Sequence, residues 1–124
     1  MSHHESPKLE HVELASKDPK ATQKFLEAAF GWKFSSMPGM EYAMLEMPET
    51  RDSSGVGVRP VMGPEHPGSI GYITVANIDE SLKTVQAAGA KVVMGKTEIP
   101  GMGWSAVYIA PGEVVQGLYQ NKQA

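Results

Sequence analysis

Short stretches of the chain alternate between apolar and polar residues, and each such stretch predicts a half-buried β-strand. The first lies at residues 10–15. A helix is predicted after it, because Asp18 can cap a helix, Pro19 can occupy its first position and Gly31 can end it. The apolar residues of this helix fall near helical spacing: Ala21, Phe25, Leu26, Ala28 and Ala29. The pattern therefore predicts a strand followed by an amphipathic helix.

The same order of elements returns in the second half of the chain. Residues 71–76 alternate as a strand, Asn77 or Asp79 can cap a helix at residues 81–88, and Gly89 can end it. Two further strands separated by a turn are predicted later in each half, at 42–47 and 55–59 in the first and at 104–110 and 114–120 in the second.

Two short sequence matches support an internal duplication. Each helix is followed by Gly-x-Lys and an apolar residue, at 31–34 and 89–92, and then by Pro-Gly-Met, at 38–40 and 100–102. Each half therefore reads β-α-β-β-β.

The duplication predicts an α+β fold made of two βαβββ modules. One copy covers a single face of its sheet with its helix, so two copies must pair, and pairing forms a half-barrel with a concave ligand cup. Within one domain overall, the predicted segments are a disordered N-terminal tail at 1–8, the first module at 9–59, a linker at 60–68, the second module at 69–120 and a C-terminal tail at 121–124.

The composition narrows the class of protein. The chain has 124 residues, no cysteine and a formal net charge of −3, which excludes thiol catalysis and argues against a nucleic-acid partner. Because no apolar run approaches about 20 residues and the first residues lack an apolar leader, we expect no membrane partner and a cytoplasmic location. Exposed sheet edges favour a homodimer.

Strand alternation assigns side chains to the cup. Val12 and Leu14 pack against the helix, which sends His11 and Glu13 into the cup. The other residues expected to face the cup are Ala15, Gly57, Arg59, Tyr72, Thr74, Ala76, Val115, Gly117 and Tyr119, together with Tyr42, Met44, Glu46, Trp104, Ala106 and Tyr108 on the third strands.

Each candidate site residue has a structural and a functional interpretation. His11 is either a half-exposed strand residue or a proton-transfer base. Glu13 and Arg59 either form a structural ion pair or act separately. In the second case Glu13 is a base and Arg59 binds an anionic group of the substrate. The aromatic residues fill the core or stack on a ligand, and Glu46 lies at the surface or in the site. The residues proposed to bind substrate are Arg59, Tyr72, Trp104, Tyr119 and Glu46.

Several motifs together resemble the vicinal oxygen chelate superfamily, which includes glyoxalase I, bleomycin resistance proteins and extradiol dioxygenases. These motifs are the two modules and the segments at 11–14, 30–32, 77–90 and 117–120. The resemblance covers about residues 9 to 120 and implies the glyoxalase-like fold.

In metal-dependent members of that family the ligands lie on the first and last strands of each module. The matching positions here hold His11, Gly57, Tyr72 and Gly117, so only one of them carries a ligating side chain. A catalytic divalent ion needs about three protein ligands. We therefore expect no cofactor, and a divalent metal only if other residues, such as Glu13 or Glu46, join His11.

The resemblance and the residues favour a protein that binds a small organic molecule in the cup without the complete metal site. The alternative is a glyoxalase-like lyase or isomerase in which His11 or Glu13 is the base and Arg59 polarises a substrate oxygen. A third interpretation is an accessory domain whose cavity has lost its role.

Overall fold

The computed structural model describes residues 7–37, 39, 41–46 and 55–122. Two β-α-β-β-β modules follow one another along the chain, as predicted. Their elements are β1 (Lys8–Ser16), α1 (Pro19–Phe30), β2 (Phe34–Ser36), β3 (Ala43–Leu45), β4 (Val56–Pro60), β5 (Gly68–Thr74), α2 (Ile78–Ala87), β6 (Lys91–Ile99), β7 (Gly103–Ala110) and β8 (Val114–Asn121). The predicted N-terminal tail lies outside the described residues up to residue 6.

The first module arranges its strands in the order β2-β3-β4-β1. β1 and β4 run parallel, with Glu13 opposite Gly57 and Leu14 opposite Val58. β3 pairs antiparallel with both β2 and β4. Since β1 and β4 are parallel neighbours, the odd-numbered residues of both strands lie on one face of this sheet.

The ends of α1 follow the predicted capping residues. The Asp18 carboxylate accepts a hydrogen bond from the backbone N–H of Ala21 at 3.2 Å, and Pro19 occupies the first turn. Gly31 adopts φ 71°, a left-handed conformation, and its N–H donates to the carbonyl of Glu27 at 2.9 Å. Both helix-end predictions are confirmed.

The second module repeats this order as β5-β8-β7-β6. β5 and β8 are parallel with Tyr72 opposite Gly117, and β7 pairs antiparallel with β8 and β6. Asn77, not Asp79, caps α2 by accepting from the N–H of Glu80, so α2 begins at Ile78, three residues before the predicted start.

The core of the second module lies between α2 and one face of its sheet. Its buried cluster contains Ile78, Ala106, Tyr108 and Leu118, and Trp104 packs against it. The prediction that Trp104, Ala106 and Tyr108 face the cup is therefore wrong. On β7 both alternating sets are apolar or small, and Val107 on the other face is fully buried as well, so alternation could not distinguish the two faces.

The two helices bury their apolar residues to different extents. On α2, Ile78 is fully buried, and Leu82 and Val85 pack against the core cluster. On α1, Leu26 is the single buried residue, and Phe25 is 63% exposed. Neither helix is long and apolar enough to cross a membrane, in the part of the chain that is described.

Candidate functional site

The polar residues of β1 lie on the sheet face opposite α1, which we call the helix-free face of the first module. Ser16 contacts α1, with its hydroxyl 2.7 Å from that of Thr22, so the even positions of β1 face the helix. His11 and Glu13 point the other way, toward side chains of Tyr42 and Arg59. The face predicted for His11, Glu13 and Arg59 is confirmed.

A buried guanidinium lies between two carboxylates on this face. Arg59 donates from Nε to Glu13 at 2.6 Å, and from Nη1 and Nη2 to the two oxygens of Glu65 at 2.5 and 2.9 Å. Nη1 also donates to the carbonyl of Pro60. Arg59 thus forms the predicted ion pair with Glu13. The guanidinium N–H groups of Arg59 are directed at two carboxylates of the protein itself. This supports a structural role for Arg59 over the binding of a substrate anion.

Glu65 lies within residues 60–68, which the sequence pattern predicts to be a polar linker, so its place in this cluster was not predicted. Its side chain is 0% exposed, and besides Arg59 it accepts a hydrogen bond from the backbone N–H of Met62 at 2.8 Å. The sequence does contain a signal that could have identified Glu65. A buried arginine needs more hydrogen-bond acceptors than one carboxylate offers, and Glu65 is an acidic residue six positions after Arg59.

A chain of hydrogen bonds connects this ion pair to His11. The Tyr42 hydroxyl donates to Oε2 of Glu13 at 2.6 Å and lies 3.1 Å from Nε2 of His11. A hydroxyl has one hydrogen, and an ionised carboxylate can only accept it. The bond between His11 and Tyr42 therefore requires a proton on Nε2 of His11. In the neutral ring, Nδ1 then carries the lone pair.

The environment of His11 favours this neutral ring. Burial lowers the pKa of His11 below its usual value of 6.5, and the nearby charge of Glu13 opposes that shift without overcoming it. At neutral pH the imidazole is therefore uncharged, and the tautomer is set by Tyr42 and Glu13.

Tyrosine rings cover a glycine on the helix-free face of each module. A Cβ atom at residue 57 would overlap the hydroxyl of Tyr42, and a Cβ at residue 117 would overlap the ring of Tyr72. Gly57 and Gly117 occupy corresponding positions on β4 and β8, so each module uses the space above its last strand in the same way. Larger side chains at either glycine would displace a ring.

The side chains present do not fit the metal site that the family resemblance implies. Two of the four corresponding positions are the covered glycines, and a third is Tyr72, which is itself one of the covering rings. Within the described ranges, no three His, Cys, Asp or Glu side chains come together in a way that could hold a metal ion.

The other predicted site residues lie apart from the His11 chain. Glu46 is exposed and accepts a hydrogen bond from the Ser35 hydroxyl at 2.7 Å. Tyr119 faces away from α2 and donates to the carbonyl of Met102 at 2.9 Å. Trp104 lies on the α2 side, with the Lys96 ammonium 5.2 Å from its ring centroid, so it does not share a face with Tyr72 or Tyr119.

A cavity of about 420 Å³ opens within the compact unit formed by residues 11–70, where β1 leads into α1. Its walls come from the end of β1, the start of α1 and the start of β5, at residues 14–18, 21–22 and 67–69. The hydroxyls of Ser16 and Thr22 in this wall bond to each other.

Comparison with known proteins gives a partial sequence match and a complete match of fold. Residues 8–48 match a family model described as bleomycin resistance protein-like N-terminal. The comparison with curated protein sequences gives no match.

Solved structures match nearly the whole chain. A hypothetical protein from Bacillus halodurans C-125 is 18% identical with a TM-score of 0.62, covering 97% of this chain and 98% of that one. A glyoxalase/bleomycin resistance protein/dioxygenase superfamily member from Vibrio splendidus 12B01 is 15% identical with a TM-score of 0.61, covering 94% and 100%. Methylmalonyl-CoA epimerase from Mycobacterium tuberculosis is 15% identical with a TM-score of 0.59, covering 93% and 88%.

The sequence match and the fold both relate this chain to one group of proteins. Residues 8–48 are similar to the bleomycin resistance protein-like N-terminal family, and the chain shares its fold with a glyoxalase/bleomycin resistance protein/dioxygenase superfamily member. The α+β fold of this chain, with two βαβββ modules, is the glyoxalase-like fold that the sequence predicted.

Proposed function

We propose that this protein binds a small organic molecule at the helix-free face of the first module, without a metal ion. The observation that carries the proposal is the Tyr42 ring lying over Gly57. At a position where metal-dependent relatives are expected to carry a ligand, this chain has an aromatic ring. The same ring hydroxyl orients the neutral imidazole of His11.

The charges around this face favour a neutral or cationic ligand. Among the described residues of this face, Glu13 and Glu65 contribute two carboxylates around the single guanidinium of Arg59, and His11 is neutral. An anionic ligand would meet an excess of negative charge in a poorly solvated environment. His11, Tyr42 and Met44 are half-buried and supply an aromatic, polarizable surface.

Calorimetric titration of chelator-treated protein with matched neutral, cationic and anionic aromatic compounds tests the proposal. We expect neutral or cationic compounds to bind equally well with and without EDTA. His11→Ala and Tyr42→Phe should each weaken binding about tenfold, which corresponds to the loss of one good hydrogen bond in a buried site. Tyr119→Phe, a tyrosine of the second module, is the matched control and should leave affinity unchanged.

Two results would overturn this function. One is binding that appears only after Zn²⁺, Ni²⁺, Mn²⁺ or Fe²⁺ is added. The other is binding that neither His11→Ala nor Tyr42→Phe alters while both variants keep the wild-type melting temperature.

A second candidate function is acid–base catalysis with His11 as the base. The observation that favours it is the neutral imidazole with its proton fixed on Nε2, because a general base must be uncharged at the working pH. Glu13 is less suited to this role, since its oxygens already accept from Arg59 and Tyr42. This lyase or isomerase would exchange the acidic C–H proton of a carbonyl compound with solvent.

Deuterium exchange distinguishes the two candidates. A neutral ketone with an acidic C–H beside its carbonyl is a suitable first probe, because it carries the proton that His11 would remove and no negative charge. Incorporation of deuterium that His11→Ala abolishes and that EDTA does not affect would favour catalysis. A probe that binds without any exchange would favour binding alone.

A further inference from the structure

The buried carboxylate of Glu65 lies at the far end of the hydrogen-bond chain that reaches His11. Four successive contacts, between 2.5 and 3.1 Å long, form this chain in the order Glu65, Arg59, Glu13, Tyr42 and His11. Each contact joins one side chain to the next, so the orientation of one group limits the orientation of its neighbour. Three side chains therefore connect Glu65 to the imidazole.

The turn after β4 fixes the position of the Glu65 carboxylate. The backbone N–H of Glu65 donates to the carbonyl of Met62 at 3.0 Å. Across the same turn the N–H of Met62 donates to Oε1 of Glu65 at 2.8 Å, and the Glu65 side chain is fully buried. Because its backbone and its side chain are both bound to Met62, this carboxylate is held in place where it meets Arg59.

Glu65 sets the direction of the Arg59 guanidinium. Glu13 alone would balance the positive charge of Arg59, so charge neutralisation does not account for a second buried carboxylate, whose desolvation is costly. Glu65 binds Nη1 and Nη2 together. Because the guanidinium is planar, two bound Nη groups fix the direction of Nε–H, which points at Oε1 of Glu13.

The carboxylate of Glu13 transmits this constraint to Tyr42 and His11. Its two oxygens have different partners, since Oε1 accepts from Arg59 and Oε2 accepts from the Tyr42 hydroxyl. A carboxylate is also planar, so a rotation that follows a displaced Nε–H moves Oε2 away from that hydroxyl. The hydroxyl hydrogen would then be donated to Nε2 of His11, and the ring proton would move to Nδ1.

We propose that Glu65 is a positioning residue for His11, which keeps the imidazole proton on Nε2 by acting through Arg59, Glu13 and Tyr42. The inference deepens the function proposed above and rests on it, because the tautomer of His11 matters to a ligand bound beside this ring. The predicted linker at residues 60–68 thereby contributes to the site.

Nitrogen-15 NMR of the imidazole rings in ligand-free protein at pH 7 tests the proposal. Glu65→Gln keeps the shape of the side chain but turns an NH₂ group toward Arg59, so that two donors face each other. We expect the His11 signals to move at least halfway from their wild-type positions toward those of Tyr42→Phe. Arg59→Lys, which keeps the charge and loses the planar guanidinium, should cause a similar shift.

Two control variants separate positioning from a loss of stability or of charge. Val58→Ala removes a fully buried side chain beside Arg59 on the opposite face of β4, so it lowers the melting temperature without touching the hydrogen-bond chain. Glu27→Gln removes an exposed negative charge from α1. Both variants should keep the Nε2–H tautomer of His11.

An unchanged tautomer in Glu65→Gln would overturn the proposal, and so would a shift of equal size in Val58→Ala. If Glu65→Gln does not fold, Arg59→Lys decides in the same way. Calorimetric titration with benzamide, a neutral aromatic probe, separates this inference from the proposed function. Benzamide binding by the wild type with an unchanged tautomer in Glu65→Gln overturns the positioning role alone. A shifted tautomer without benzamide binding supports the positioning role and counts against the proposed function.

Discussion

The two modules share one backbone plan and differ in what their side chains do. In both modules the first and last strands are parallel neighbours, and the helix follows the first strand. In both, a polar side chain caps the start of the helix, and a tyrosine ring covers a glycine on the last strand. The first module adds a buried Glu13–Arg59–Glu65 cluster, whereas Tyr119, two residues after Gly117, stands where Arg59 stands relative to Gly57. Among the described residues, the duplicated architecture therefore carries this buried ion-pair cluster in the first module and a tyrosine at the matching position of the second.

The helices show the same divergence. α2 directs Ile78, Leu82 and Val85 into its core and presents polar residues outward. α1 buries Leu26 and leaves Phe25 exposed. The apolar face of α2 is covered by the sheet of its own module. The apolar residues of α1 extend beyond the side that faces its sheet, so part of its apolar surface stays exposed.

The largest expected difference between the modules concerns Arg59. Arg59→Met leaves two carboxylates buried without their partner, and we expect it to lower the free energy of unfolding by about 3–5 kcal/mol. Tyr119→Phe, at the corresponding position of the second module, loses one hydrogen bond to Met102 at the surface and should cost at most about 1 kcal/mol. Urea denaturation measures both. If the two variants lost similar amounts of unfolding free energy, the buried Arg59 cluster would not be the main difference in stability between the modules.

Replacing one apolar residue of each helix by alanine measures how much α1 and α2 contribute to stability through packing within their own modules. Ile78→Ala should lower the free energy of unfolding by about 2–5 kcal/mol because it empties a fully enclosed site. Phe25→Ala should change it by about 0.5 kcal/mol or less when measured at concentrations where dimers are absent. A loss above about 2 kcal/mol in Phe25→Ala would mean that this ring packs within its own module.

If the two helices begin in the same way, their capping side chains should contribute equally to the stability of the protein. Asp18→Ala and Asn77→Ala each remove a side chain that accepts from a first-turn N–H, and each should cost about 1 kcal/mol. Thermal denaturation of the two variants in parallel provides the measurement. A loss in one module and none in the other would contradict equivalence of the helix starts.

A pH effect specific to the first module follows from His11. Its pKa is lowered in the folded protein, so the unfolded chain binds the proton more readily. Stability should therefore be fully present above pH 6.5, the ordinary histidine value, and should fall as the pH decreases below it. His11→Gln should flatten this dependence in urea denaturation between pH 7.5 and 5. A wild-type slope retained in the variant would assign the effect to other groups.

Alternation predicted the face on which His11 and Glu13 lie because only one face of β1 is apolar. Val12 and Leu14 determine the helix side, which sends His11 and Glu13 to the other. The same reasoning failed on β7, where Trp104 and Val107 are apolar residues on opposite faces. The role of Glu65 was not predictable from periodicity, because its burial depends on a turn that brings it back to Arg59.

The exposure of Phe25 on α1 could not be predicted from the sequence either. Helical spacing shows that apolar residues share a side, but it does not show how far the sheet extends beneath them. Only the rotation of α1 on its sheet, with Thr22 and Leu26 underneath, leaves Phe25 outside.

We propose that the first module holds a metal-independent site built around a neutral His11 whose Nε2 proton is donated to Tyr42. Nitrogen-15 NMR of the imidazole rings, assigned with His11→Gln, tests it most directly. At pH 7 with EDTA we predict the Nε2–H tautomer for His11, with signals that do not move when Zn²⁺ replaces the chelator and that revert toward a tautomer mixture in Tyr42→Phe. A protonated ring, an Nδ1–H tautomer or a Zn²⁺-dependent shift of His11 would contradict it.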